Sequence, residues 1–100
     1  MEVNDENFES IIKEHSPILI KFGAQWCGPC RMMEPTLKEL EADFPDITFA
    51  HCDTDKSTET ASKLSIVSLP TLVMFKEGKE VGRIVGVQSG KSGIKKWIAK

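Results

Sequence analysis

A strand–helix–strand pattern in the first half of the chain constrains its fold more than any other sequence feature. Ile18 to Phe22 is a short, mostly apolar run that predicts a buried strand, and Ile47 to Asp53 predicts a second one. Between them lies a predicted helix whose apolar residues share one face: Met33, Leu37, Leu40 and Phe44. Strands joined through a helix become parallel neighbours with a right-handed crossover.

The remaining elements add helices and a hairpin to this unit. An amphipathic helix precedes the first strand, and a short polar helix is predicted over Ser57 to Leu64. The runs Thr71 to Lys76 and Lys79 to Val85 predict an antiparallel hairpin, and a last helix follows it. We therefore predict an α/β fold with a central mixed sheet of four to five strands and helices on both faces. Met1 to Val3 is too short to predict as a strand with the rest.

Length, charge and hydropathy exclude several classes of protein. One hundred residues suffice for a single domain, which we expect to span residues 1–100. Thirteen basic and fifteen acidic residues give a net charge of −2 without a basic stripe, so we expect no nucleic-acid partner. The longest apolar run is Leu72 to Phe75, which is far too short to span a membrane. The acidic start carries no visible secretory signal, and we expect a cytoplasmic protein.

Two cysteines stand close together where the first strand gives way to a helix. Cys27 and Cys30 flank Gly28 and Pro29, and proline suits the opening turn of a helix because its missing N–H would be unpaired there. Residues three apart on such a turn come within disulfide distance. The helix dipole favours an anion at its start by about 0.3–1 kcal/mol. Because the thiolate is the attacking species, we expect Cys27 to be the nucleophile and Cys30 to resolve a mixed disulfide.

A metal site is the alternative interpretation of these cysteines. Zinc generally needs four ligands, and the other candidates are Cys52, His51 and His15. The chain has no second Cys-x-x-Cys motif, so redox chemistry is favoured over metal binding. Cys52 lies in an apolar strand and is expected to be a small buried side chain, with a regulatory thiol as the alternative.

The segment from Phe22 to Arg31, which contains Trp-Cys-Gly-Pro-Cys, resembles the active-site segment of thioredoxins. The similarity covers nearly the whole chain. Further matches at the family's spacing are Pro35, Leu69-Pro70-Thr71, Phe75-Lys76-x-Gly78 and Val85-Gly86. The resemblance implies a thioredoxin fold and a thiol–disulfide oxidoreductase that reduces protein disulfides and is recycled by a thioredoxin reductase. It implies no cofactor and no metal, and we expect a monomer.

The resemblance also assigns expected roles to single residues. Cys27 would be the exposed nucleophile, Cys30 would resolve the intermediate, and Trp26 would cover the pair. Pro70 would follow a cis peptide bond, and the backbone before it would pair with an extended substrate segment. The full set of implied substrate contacts is Trp26, Gly28, Pro29, Ser68, Leu69, Pro70, Gly86 and Val87.

Three positions depart from the family's pattern. Lys21 stands where thioredoxins usually carry a buried Asp that accepts the proton of the second cysteine, and His51 stands where Lys is common. Lys21 could bend to the surface without a chemical role, favour the Cys30 thiolate as a cation, or accept the proton when neutral. His51 could act as a base through water or be a buried structural histidine. Gly23 replaces a large aromatic residue, which predicts either a looser site or wider access beside Trp26.

Other functions on the same fold remain open at this point. An oxidase or isomerase is the nearest alternative chemistry, although Gly28-Pro29 between the cysteines favours a reductase. A binding module without turnover is a different class, but it would have no use for both Cys27 and Cys30. A glutathione-dependent glutaredoxin is disfavoured by Trp26 together with Gly28-Pro29.

Overall fold

Strands and helices alternate along most of the chain in a computed structural model that describes residues 1–87 and 89–99. In chain order they are β1 (Glu2–Val3), α1 (Phe8–Glu14), β2 (Ile18–Gly23), α2 (Gly28–Asp43), β3 (Thr48–Asp53), α3 (Thr58–Lys63), β4 (Thr71–Lys76), β5 (Lys79–Val85) and α4 (Gly90–Ile98).

The strands form one five-stranded mixed sheet in the order β1-β3-β2-β4-β5. β3 runs parallel to both β1 and β2, whereas β4 runs antiparallel to β2 and β5. The predicted mixed α/β sheet is confirmed, and it has the larger of the two expected strand numbers. The additional strand, β1, is only two residues long and pairs Val3 with Cys52 in β3. A two-residue segment carries no sequence pattern that predicts its pairing with a strand so far along the chain.

Side chains of β2 alternate between two packed layers, as they must in a strand with both faces covered. Ile18, Ile20 and Phe22 point into a larger core with the apolar face of α1. Leu19 points the other way, into a second core that contains residues of α2 and α4. Helices therefore cover both faces of the sheet, as predicted. By the same alternation, Lys21 lies on the α2 face.

The β4–β5 hairpin turns at Glu77 and Gly78, the two residues between the predicted strands. Glu77 and Gly78 both have positive φ values, 53° and 78°, as a tight hairpin turn with the right twist requires. In the described part of the chain no helix is long and apolar enough to cross a membrane.

Candidate active site

Cys27 and Cys30 form a disulfide at the start of α2, with their Cα atoms 5.3 Å apart. Cys27 is the N-cap residue, and Pro29 occupies the first turn, where the missing N–H removes no helical hydrogen bond. The backbone N–H of Cys30 donates to Sγ of Cys27 over 3.2 Å. The sequence prediction that this spacing brings the two sulfur atoms together is confirmed.

The exposure of the pair differs from expectation. Cys27 is only 4% exposed and Cys30 2%, so the expected exposed nucleophile is wrong for the oxidised protein. The reason is local packing: the two cysteines and Ala24 form a small apolar cluster, and Leu69 packs against it. Cys27 nevertheless lines an open groove of about 520 Å³, through which a partner can reach it.

The loop before β4 forms one wall of this groove. Val67 and Leu69 line it together with Trp26 and Pro29. The Leu69–Pro70 peptide bond is cis. Hydrogen bonds fix the loop on both sides, because Thr71 Oγ1 donates to the Ser68 carbonyl oxygen (2.6 Å) and Gly86 N–H donates to the Pro70 carbonyl oxygen (2.8 Å).

Trp26 is held beside the disulfide by a residue that sequence reasoning missed. Its indole is 71% exposed, and its Nε1 donates a 2.7 Å hydrogen bond to Oδ2 of Asp55 in the segment after β3. The Asp55 backbone N–H in turn donates to Asp53 Oδ1 (2.9 Å). An exposed indole tied at its polar edge presents its apolar face in one orientation.

A second, more apolar groove lies on the other side of Pro29. It has a volume of about 310 Å³ and is lined by Pro29, Met32 and Val87, together with Ile94 at its base. Met32 is largely exposed, whereas its neighbour Met33 is buried in the second core. Val87 therefore lies close to the disulfide loop, but in a different groove from Trp26.

Lys21 is buried beneath the second cysteine. It is only 5% exposed, so the interpretation that it bends to the surface is wrong. Strand alternation aims its side chain at α2, and Nζ donates to the Cys30 carbonyl oxygen over 3.4 Å. Nζ also lies 3.6 Å from Oε1 of Glu34, one turn further along α2. Sequence reasoning missed Glu34, although its position four residues after Cys30 places it on the same helix face.

His51 is the direct neighbour of Lys21 in the parallel β2–β3 register. Both side chains line a cavity of about 450 Å³ that also contains Cys30 and Glu34. Burial lowers the pKa of His51, and the nearby positive charge of Lys21 lowers it further. Within the described part of the chain its buried Nδ1 has no hydrogen-bond partner. The lowered pKa keeps the imidazole neutral near pH 7, and the ring shares this cavity with Cys30.

Gly23 does not leave the site loose, contrary to expectation. A Cβ atom added there would lie 3.1 Å from Cys30 Sγ and 3.8 Å from His51 Cε1. The space that a side chain at position 23 would need is thus already occupied by the disulfide.

Cys52 is fully buried in the larger core, as expected, and burial raises the pKa of its thiol. Among the described residues, no group of three or more His, Cys, Asp or Glu side chains could hold a metal ion.

Comparison with known proteins assigns this site to a family. The family profile described as Thioredoxin matches residues 1–100. A thioredoxin of Chlamydia trachomatis is 45% identical over 93 residues, which cover 93% of this chain and 90% of that protein. A thioredoxin of Alicyclobacillus acidocaldarius is 44% identical, with 88% and 85% covered. The chain belongs to the thioredoxin family.

Structural comparison agrees with this membership. The crystal structure of oxidised mitochondrial thioredoxin 3 from Saccharomyces cerevisiae superposes with a TM-score of 0.90 at 35% identity, covering 99% of this chain and 92% of that one. The chain thus has the thioredoxin fold and is a thiol–disulfide oxidoreductase of the thioredoxin type.

The buried histidine of this thioredoxin-family site should make folding sensitive to pH. Because the pKa of His51 is lowered in the folded protein, the unfolded chain binds its proton first as the pH falls below about 6.5. The free energy of unfolding should therefore decrease from about pH 6.5 down to the folded pKa. In His51→Asn, proton uptake on unfolding in this range should fall by up to about one proton.

Denaturant unfolding measured at a series of pH values tests this expectation, with His15→Asn, which removes the other histidine, as the comparison. Equal pH slopes for the parent protein and His51→Asn would contradict the proposed cost of charging this side chain.

Proposed function

We propose that this protein reduces disulfides in other proteins and is returned to its dithiol form by a thioredoxin reductase. The observation that carries the proposal is the Cys27–Cys30 disulfide at a helix start, with Cys27 lining an open groove. The helix N-terminus favours the thiolate of its N-cap residue, Cys27. The groove allows a protein segment to approach that sulfur.

The reaction requires two exchanges. The Cys27 thiolate attacks one sulfur of the target disulfide, and the other target sulfur leaves as a thiolate that takes a proton from solvent. Cys30 then loses its proton and attacks Cys27 Sγ, which releases the second target sulfur. The target gains two electrons and two protons, while the Cys27–Cys30 pair becomes the disulfide. The reductase supplies two electrons to start again.

Substrate segments are proposed to dock along the groove. The backbone at Ser68 and Leu69, before Pro70, would pair with an extended segment, as in strand addition. Trp26, Gly28 and Pro29 would supply apolar and close-approach contacts on the opposite wall, which is supported by the exposed indole held by Asp55. Gly86 and Val87 would extend the surface toward the second groove.

Lys21 is proposed to favour the thiolate of Cys30. Its Nζ lies within ion-pair distance of Glu34 and donates to the Cys30 carbonyl oxygen, which supports a role as a cation beside Cys30. His51 is neutral near pH 7 because its pKa is lowered, and its Nδ1 has no hydrogen-bond partner among the described residues; it is proposed to accept the Cys30 proton through solvent in the cavity.

Replacing Lys21 by methionine should slow the second exchange at neutral pH. Loss of the cation makes the Cys30 thiolate less favourable, so release of a bound target should become about three- to tenfold slower at pH 7 and recover at higher pH. Stopped-flow release of a target from a preformed mixed disulfide, from about pH 6 to pH 9, measures this. Lys63→Met, which removes the exposed Lys63–Glu9 ion pair, is the matched control. Identical profiles for parent and Lys21→Met would make Lys21 structural only.

The overall function is tested by coupled turnover. With NADPH, a thioredoxin reductase and insulin, NADPH oxidation should depend on the added protein. Equilibration with glutathione buffers separates the nearest alternative, because a potential above that of the cytosolic glutathione pool would indicate an oxidase and overturn the proposal. We further propose a cytoplasmic, monomeric carrier, which fractionation and sedimentation would test.

A further inference from the structure

One ammonium group serves two acceptors at this site. Lys21 Nζ lies 3.4 Å from the Cys30 carbonyl oxygen and 3.6 Å from the Glu34 carboxylate. Both acceptors belong to the same face of α2, since four residues separate them. The position of the ammonium therefore depends on how strongly each acceptor attracts it.

The two acceptors differ in charge and in exposure. The Glu34 carboxylate carries a full negative charge and is 61% exposed at the mouth of the cavity, whereas Cys30 lies within the buried cluster. A carboxylate attracts an ammonium more strongly than a neutral carbonyl does. Glu34 therefore attracts the Lys21 ammonium and compensates its charge.

Charged and titratable groups reach Cys30 from three elements. The cavity is lined by Lys21 from β2, His51 from β3, and Arg31 and Glu34 from α2. Among these described lining residues, Glu34 is the acidic one. Two more carboxylates, Glu2 in β1 and Asp53 in β3, act on His51 and raise its pKa.

We propose that Glu34 is a positioning residue for the second exchange: its carboxylate attracts the Lys21 ammonium, which would otherwise stabilise the Cys30 thiolate, and so restrains formation of that thiolate. The inference rests on the proposed role of Lys21. It adds no step to the reaction, because the Cys30 proton still leaves to His51 or to solvent and the sulfur still attacks Cys27. It sets how readily that proton leaves.

Titration of Cys30 tests the inference in the full-length chain. In a Cys27→Ser background, the ultraviolet absorbance of the thiolate followed against pH reports Cys30, while buried Cys52 ionises at higher pH. Glu34→Gln should free the ammonium and raise the thiolate fraction of Cys30 at pH 7 about 1.5- to fivefold. With Lys21→Met already present, the same change should have less than half of this effect.

A matched substitution on the same helix is Glu39→Gln, which removes the Glu39–Lys91 ion pair and should leave the titration unchanged. Thiolate formation that is unaltered or weaker in Glu34→Gln overturns the inference, as does an equal effect with and without Lys21. If Lys21→Met alone shifts the titration but Glu34→Gln does not, only the inference fails. If Lys21→Met has no effect on the Cys30 titration, both the inference and the proposed role of Lys21 fail.

Discussion

A Cys27→Ser variant should lose disulfide reduction by about 10³-fold or more. A serine hydroxyl stays protonated near neutral pH and cannot replace a thiolate as the attacking group. Cys30 does not substitute for it, because Cys27, and not Cys30, is among the residues that line the groove open to a target. Insulin reduction with dithiothreitol as the electron source measures the loss without depending on a particular reductase.

Cys30→Ser should fail at a different step. Cys27 still attacks, but the intermediate is not resolved, so one equivalent of target remains bound as a mixed disulfide. Mass spectrometry of the trapped species identifies both the bond and the target. Cys52→Ala is the control for general cysteine loss, because Cys52 packs in the larger core on the opposite face of the sheet. Comparable turnover in Cys27→Ser and the parent protein would contradict the assignment of the nucleophile.

Truncating Phe75 should produce the largest change in stability. Phe75 lies in the centre of the larger core, 2% exposed, with its ring 5.6 Å from that of Phe8 in an edge-on arrangement at 75°. Replacing a buried phenylalanine by alanine costs about 3–5 kcal/mol, since a cavity remains where the ring was. A domain of this size is stable by only about 5–15 kcal/mol, so Phe75→Ala should unfold at much lower denaturant concentration.

Two comparisons show whether the cavity is the cause. Phe75→Leu retains most of the volume and should lose less stability than Phe75→Ala. Val81→Ala, on the exposed side of β5, should change the free energy of unfolding by no more than about 0.5 kcal/mol. Equal losses in the alanine and leucine variants would exclude cavity formation as the origin of the effect.

Local patterns were sufficient to predict most of the fold. The apolar runs at Ile18 to Phe22 and Ile47 to Asp53 differ from β2 and β3 by one residue at one end. The hairpin strands, Thr71–Lys76 and Lys79–Val85, agree at both ends, since Glu77-Gly78 is a strong turn signal. These elements are encoded by neighbours in sequence. β1 is not, because its two residues become a strand only through pairing with β3.

The site was harder to predict where it depends on how elements pack. The cysteine pair follows from spacing alone. The Lys21–Glu34 pairing depends on the rotation of α2 over the sheet, which no local pattern reports. The Trp26–Asp55 hydrogen bond joins two segments separated by 29 positions, and nothing in either segment indicates the other. The compact cluster around Cys27 likewise depends on Leu69, from a distant loop.

The alternation of side chains along β2 has a consequence for how such a protein can change over time. Ile18, Ile20 and Phe22 build the larger core, while Lys21, between two of them, faces the cysteines. A replacement at position 21 therefore alters the electrostatic setting of the thiols on one face of the sheet, while the side chains that pack the opposite layer stay the same. Selection can therefore change the reactivity of the thiols through position 21 while the fold stays the same.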